Sequence, residues 1–200
     1  MKISTIRAGA SALAISTATL TSAATVDFNF LQTSSGVEVE GSGAFDLSGL
    51  TPQETHVFEG PGAISPENRT VVVGETDLLD LYYIESFVSF SSGENRLFYA
   101  SSGTGDVFGP SPFGNDLIIL GVPTGYVSGE ALYGTLSFYG DTFETLGIDP
   151  ENYTFNLAGT TVNYNFEIAA VPLPAAGMLL LAAIGGFGAV SRRKRSTMVA

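Results

Sequence analysis

His56 is the only histidine in the chain, and there is no cysteine. A serine–histidine–acid relay would therefore have to run through His56, while thiol nucleophiles, cysteine-ligated zinc and disulfides are excluded outright. No Gly-x-Ser-x-Gly elbow accompanies His56. It sits in Glu54-Thr55-His56-Val57-Phe58, which reads as a strand with an outward polar position. Paired carboxylates are the second option. Glu38/Glu40, Asp77/Asp80 and Asp141/Glu144 are the nearest pairs, but a glycosidase needs two acids facing each other across a sugar cleft. Such clefts are usually lined with tryptophan, and the chain has none. With 20 acidic residues, close pairs arise by chance and read as a solvated acidic face. Oxygen-rich loops at Gly103-Thr104-Gly105-Asp106 and Asn115-Asp116 suit a hard cation, yet there is no EF-hand loop or nonapeptide repeat. The expectation is no cofactor and no specific metal site, with weak calcium binding as a counter-ion at most. Asn68-Arg69-Thr70 and Asn152-Tyr153-Thr154 match a glycosylation sequon and read as chance. The residues predict a protein that is not an enzyme.

The elements that hold these residues are strands. In Thr161 to Ile168, Val162, Tyr164, Phe166 and Ile168 share one face, and Thr161, Asn163, Asn165 and Glu167 the other, the pattern of a half-buried strand. Val37 to Glu40 alternates in the same way. Further strands are expected at Val26 to Leu31, Gly43 to Leu47, Thr55 to Phe58, Thr70 to Val73, Leu78 to Phe90, Arg96 to Ala100, Asp116 to Leu120 and Leu136 to Tyr139. Tyr153 to Leu157 should close a hairpin on the last strand through Ala158-Gly159. Breaks fall at Gly60-Pro61-Gly62 and Ser91 to Asn95. No stretch has the pattern of a three-turn amphipathic helix. Residues 25–170 therefore predict one all-β domain, an antiparallel β-sandwich or jelly roll.

Charge separates that domain from both ends of the chain. Every acidic residue lies between Asp27 and Glu167, where Arg69 and Arg96 are the only basic residues, so this stretch carries a net charge of −18. That balance opposes nucleic-acid binding and favours solubility in saline water. Residues 1–24 have the layout of a signal peptide: Lys2 and Arg7, an uncharged run from Ala8 to Leu20, then small residues at Ala23 and Ala24 where a signal peptidase would cut. At the other end, Ala175 to Val190 holds no charge, and Arg192, Arg193, Lys194 and Arg195 follow. Sixteen helical residues span ~24 Å, against ~30 Å of hydrocarbon; Val171 to Pro174 extends the apolar run, and basic side chains can snorkel. A transmembrane helix over 175–190 is expected, its basic cluster cytoplasmic and the acidic domain outside. The signal peptide requires the same orientation.

Val171-Pro172-Leu173-Pro174-Ala175-Ala176-Gly177, an apolar helix and a basic cluster together resemble the VPLPA-CTERM sorting signal, a variant of the PEP-CTERM signal of Gram-negative bacteria. Residues 171–195 carry the resemblance, and Ser196 to Ala200 run past the point where such chains usually stop. It implies recognition by an exosortase, which cuts near Val171 to Ala175 and passes the protein to the cell surface, in a setting of exopolysaccharide and biofilm. Thr142 to Pro150 with Tyr153-Thr154-Phe155 is similar to a turn recurrent in PEP-CTERM proteins, although Glu151-Asn152 replaces its usual single glycine. That similarity implies no catalytic residue.

The expected function is thus a non-enzymatic surface or matrix protein, inner-membrane-anchored before release. Two alternatives stand beside it: a plain tail anchor that is never cut, and a carbohydrate-binding module in which Tyr82, Tyr83, Tyr126 and Tyr139 would form a platform. Proline cannot sit inside a helix without losing backbone hydrogen bonds, so Pro172 and Pro174 hold the motif extended. Changing both to alanine should leave the protein membrane-bound but unprocessed. Neutralising Arg192, Arg193, Lys194 and Arg195 removes a barrier of ~2.5–3.5 kcal/mol per residue and should release the helix through the bilayer; membrane fractionation reads both outcomes.

Overall fold

The computed structural model describes residues 24–84, 96–113 and 117–170. Every regular element among them is a strand: β1 (Thr25–Gln32), β2 (Gly36–Gly43), β3 (Thr51–Ser65), β4 (Thr70–Ile84), β5 (Phe98–Tyr99), β6 (Ser102–Gly105), β7 (Gly109–Phe113), β8 (Leu117–Pro123), β9 (Leu132–Tyr139), β10 (Tyr153–Leu157) and β11 (Thr160–Ile168). They form a six-stranded sheet, β10-β11-β1-β2-β9-β6, and a five-stranded sheet, β5-β3-β4-β8-β7. One core joins the sheets, with Phe28, Val39, Leu136 and Tyr164 of the first packed in a cluster with Val71, Val73, Leu120 and Val122 of the second. Period-two alternation drives this. Val26, Phe28 and Phe30 point inward from β1 while Thr25 and Asn29 are exposed, and Leu132, Gly134, Leu136 and Phe138 do the same in β9.

Several sequence expectations change on contact with tertiary structure. The β10–β11 hairpin forms through Ala158-Gly159, with Ala158 at φ 47°. Not every pairing is antiparallel: β1 and β11 run parallel, from Thr25↔Thr161 to Gln32↔Ile168. The two strands are the first and last of the domain, so no hairpin constrains their direction. Gly60-Pro61-Gly62 does not end a strand. It lies within β3, where the register to β4 shifts between Phe58 and Pro61 and again between Pro61 and Ala63; an inserted irregularity of this kind bends a strand without terminating it. Thr70 to Val73 and Leu78 onward likewise belong to a single β4, and residues 85–95 lie outside the described residues. Gly43 to Leu47 is not a strand beyond Gly43. Gly43 takes φ +136°, and the segment then plugs the core with Phe45 while its backbone turns to side chains: Phe45 N–H donates to Tyr126 Oη at 2.8 Å and Asp46 N–H to Thr160 Oγ1 at 2.9 Å. From Arg96 to Ala100 only Phe98 and Tyr99 join a ladder. Strand β7 was hidden by Pro110 and Pro112, which are tolerated because β7 is an edge strand.

One row crosses the whole six-stranded sheet, inward-facing up to Gly134 and exposed at Gly105 on the edge strand. In register it reads Tyr153, Tyr164, Phe28, Gly41, Gly134, Gly105. Half of the row is aromatic and half is glycine. Over Gly41 and Gly134 lie Val73 and Gly74 of β4 together with Asp106 and Phe108 of the link between β6 and β7. A Cβ on Gly41 would come within 2.9 Å of both the Phe28 ring and Val73 Cγ2, and one on Gly134 within 2.4 Å of the Asp106 carbonyl oxygen. The bare backbone allows Val73 and Phe108 to exchange hydrogen bonds above it at 3.0 and 3.4 Å. Gly134→Ala should lower stability by about 1–3 kcal/mol, since a backbone oxygen cannot yield as a side chain would. Tyr99→Ala, at a position 69% exposed, should change it by no more than about 0.5 kcal/mol; urea titration of the two variants checks the contrast.

Candidate functional site

At the aromatic half of that row the turn between β3 and β4 arches over the six-stranded sheet. Asn68 N–H donates to Ser65 O at 3.1 Å and Arg69 N–H to Pro66 O at 3.2 Å, and the Asn68 amide reaches Ser65 Oγ at 3.0 Å. The turn leaves Arg69 at φ 48°, a left-handed conformation uncommon outside glycine. Its guanidinium carbon lies 3.5 Å from the centroid of the Tyr153 ring, which begins β10. This cation–π contact, typically worth ~0.5–1 kcal/mol at exposed sites and more when desolvated, ties the turn of one sheet to the edge strand of the other.

Beneath the arch is a cleft of about 370 Å³. Phe30, Tyr164 and Phe166 supply its aromatic wall, with Phe30 and Phe166 stacked at 4.6 Å and Tyr153 edge-on to Phe166 at 6.0 Å. Glu67, whose Oε2 accepts the Arg96 N–H at 3.3 Å, and Asp149 also line it. Tyr164 is 3% exposed, and its ring stacks between Phe28 at 5.4 Å and Phe155 at 5.6 Å. Its hydroxyl is buried and has no hydrogen-bond partner. Buried polar atoms are almost always paired, and leaving one unpaired costs about 1–3 kcal/mol. Burial also pushes this phenol far above its usual ionisation range. Tyr153 is raised as well, mainly by burial; Arg69 opposes the shift, whereas Asp149 and Glu151 reinforce it.

The two sequon-like tripeptides contribute Arg69, Thr70 and Tyr153 to the cleft, whereas the candidate catalytic, metal and platform residues lie elsewhere and are dispersed. His56 is exposed on β3, opposite Leu79. Glu38 and Glu40 are exposed on the outer face of β2, where Glu40 Oε2 accepts the Tyr133 hydroxyl at 3.3 Å. Asp77 accepts the N–H of Leu78, Asp141 the hydroxyl of Thr145, and Asp80 both the Thr55 hydroxyl and the Gly125 N–H. Asp106, the carboxylate of the first calcium-like loop, accepts the Tyr133 N–H at 3.0 Å. Asn115 and Asp116 lie outside the described residues, and among the described residues no three acidic or histidine side chains are grouped to hold a metal ion. The four tyrosines do not form one platform. Tyr82 and Tyr83 alternate along β4, Tyr126 donates to backbone carbonyls of Phe45 and Glu130, and Tyr139 is exposed at the end of β9 beside Ser102. Ala24 precedes β1 and accepts Thr161 N–H at 2.9 Å. Ala23, Val171, Pro172, Leu173, Pro174, Ala175, Arg192, Arg193, Lys194 and Arg195 lie outside the described residues. Nothing among protein-family models, curated proteins or solved structures matches the chain.

The cleft residues were visible in sequence only as strand and turn positions and, for Arg69, Thr70 and Tyr153, as parts of sequon matches read as chance. Arg69, one of two basic residues in an acidic domain, was the available signal.

Tyr164 also fixes an alkaline response. Below about pH 10 the phenol is neutral in both folded and unfolded chains and contributes no pH dependence. Above it the unfolded chain releases the proton and the folded chain holds it, so stability falls as pH rises. Tyr164→Phe should flatten this alkaline limb relative to the unmodified protein, as read from melting temperatures between about pH 8 and about pH 11.

Proposed function

We propose that the chain is an exported, non-enzymatic protein of the cell surface or extracellular matrix. In this reading a β-sandwich is carried between a cleaved signal peptide and a C-terminal VPLPA-type tail that an exosortase processes. The observation that carries it is the ordering of charge and apolarity along the chain: a basic, apolar, small-residue leader; a domain with a net charge of −18; then a proline-held motif, sixteen uncharged residues and four basic ones. Two terminal signals that share no residue impose one orientation on the domain. Among the described residues the strands run from Thr25 to Ile168. A signal-peptidase cut after Ala23 keeps the Ala24 carbonyl that receives Thr161 N–H; a cut after Ala24 removes that acceptor. The acidic side chains that accept backbone N–H groups in β-bulges and loops serve the fold, which agrees with a structural rather than a catalytic role. Partners in this reading are the signal peptidase, the exosortase, the inner membrane and an exopolysaccharide matrix.

The test is the mass and location of the C-terminus in cells with and without an exosortase. Loss of the residues beyond the Val171 to Ala175 region only where the enzyme is present is the expected result. An intact tail on surface-exposed protein in both strains would show a plain anchor instead.

A further inference from the structure

We propose that β10 is a docking edge for a second copy of this chain, joined by antiparallel strand pairing about a two-fold axis at Phe155. The inference goes beyond the reading above and does not depend on export or on the tail. An open sheet edge presents backbone donors and acceptors to other strands, and proteins blunt such edges with short length, proline, charge or cover. Among the described residues the other edges are blunted in these ways. β5 is two residues long, and the part of β3 beyond its reach carries Pro52, Glu54 and Glu59. β7 carries Pro110 and Pro112. β6 lies so close to β4 that a Cβ on Gly103 would meet the Gly74 carbonyl oxygen at 2.2 Å. β10, at the far end of the six-stranded sheet, reads Tyr-Thr-Phe-Asn-Leu, with neither charge nor proline, and its Thr154 and Asn156 are exposed.

The hairpin fixes which backbone groups of β10 face outward. A two-residue loop closes on a hydrogen-bonded pair, here Leu157 and Thr160. Such pairs alternate along an antiparallel ladder, so Phe155 with Val162 and Tyr153 with Tyr164 are the next two. Thr154 and Asn156 therefore turn their N–H and C=O groups away from β11. The other side of β11 keeps the same phase, since Thr161 N–H points to Ala24 O at 2.9 Å. The four outward groups of β10 have no partner among the described residues. Against a second copy, one antiparallel register uses all four: each Thr154 lies opposite the partner's Asn156, and Phe155 lies on the axis. A shift of two residues either way sets Thr154 or Asn156 opposite a residue outside the strand. Phe155 is half-buried on the inward face, stacked on Tyr164 at 5.6 Å. On the axis it meets the partner's Phe155 in a non-hydrogen-bonded pair, where side chains approach most closely and aromatic pairs are favourable. A five-residue edge is small beside a standard interface, so the dimer is a weak one. Each domain carries a net charge of −18, and Asp149 and Glu151 act on Tyr153 at one end of the strand, so salt tightens the pairing by screening.

The experiment uses the full chain, which has no cysteine of its own. Phe155→Cys and the exposed control Tyr99→Cys are oxidised mildly in cells and resolved on non-reducing gels. Cysteines facing each other across the axis lie within disulfide reach, so Phe155→Cys should give at least about tenfold more disulfide dimer than Tyr99→Cys. Sedimentation of the detergent-solubilised chain then compares the unmodified protein with Thr154→Pro; tail–tail contacts are common to both and cancel. The unmodified chain should dimerise with a dissociation constant of about 10 μM to about 1 mM, and at least about threefold more tightly in ~0.5 M than in ~0.05 M sodium chloride. Thr154→Pro removes an outward N–H and no ladder bond, and should weaken association at least about fivefold while lowering the melting temperature by no more than about 4 °C. Thr154→Lys, which charges the edge, replaces it if the proline variant does not fold, and sedimentation alone decides if Phe155→Cys does not. A monomer at every concentration up to the millimolar range, association unchanged by the folded Thr154 variant, association weakened by salt, or a Phe155→Cys yield no higher than that of Tyr99→Cys each overturns the proposal.

Discussion

The close approach of the two layers depends on a row of backbone with no side chains. Gly41 and Gly134 stand side by side on neighbouring strands, and the space their missing Cβ atoms leave is filled by Val73 over both and Phe108 over Gly41. The same row is aromatic at its other end, so the sheet surface steps from thick to thin across its width. The opposing layer drops into the thin half and is held away from the thick half by Phe28, Tyr164 and Tyr153. The cleft lies at that thick end. It is therefore a product of how the core is packed, not an addition to it.

Electrostatics follow a related economy. With two basic residues in an acidic domain, ion pairs cannot organise the carboxylates. Several serve as acceptors for backbone N–H groups that no ladder satisfies. Asp46 accepts Ser48 N–H, which holds its carboxyl below the usual range; Asp80 receives Gly125 N–H, and Asp106 receives Tyr133 N–H. Such bonds act at about 3 Å, well inside a Debye length, whereas the repulsion among surface acids is long-ranged and screened by salt. Added salt should weaken the opposing force more than the supporting one.

Strand positions were legible where one face is core and the other solvent. Thr160–Ile168 and the hairpin through Ala158-Gly159 are the clear instances, because local pattern and tertiary role agree there. Legibility failed where the backbone was bent or bound by groups distant in sequence. Gly60-Pro61-Gly62 carries every mark of a turn, yet pairing with β4 on both sides keeps it within a strand. Phe45 follows a strand-like run, yet its N–H is taken by Tyr126, 81 residues away. The cleft is harder still. Its residues come from β1, the β3–β4 turn, the loop before β10, and β11, and nothing local marks them as neighbours. A parallel pair between first and last strands has no local signature either, as no hairpin records it.

That parallel pair has a mechanical consequence. β1 starts at the end of the sheet where the chain enters the domain, and β11 finishes at the opposite end, with eight residue pairs in register between them. Tension applied through the two termini therefore pulls adjacent strands in opposite directions along their length. Their hydrogen bonds lie across that direction and must yield together, in shear; in an antiparallel terminal pair they would open one at a time from an end. A domain tethered at its C-terminus and tugged at its N-terminus would resist as a lap joint does, with strength that grows with the length of overlap.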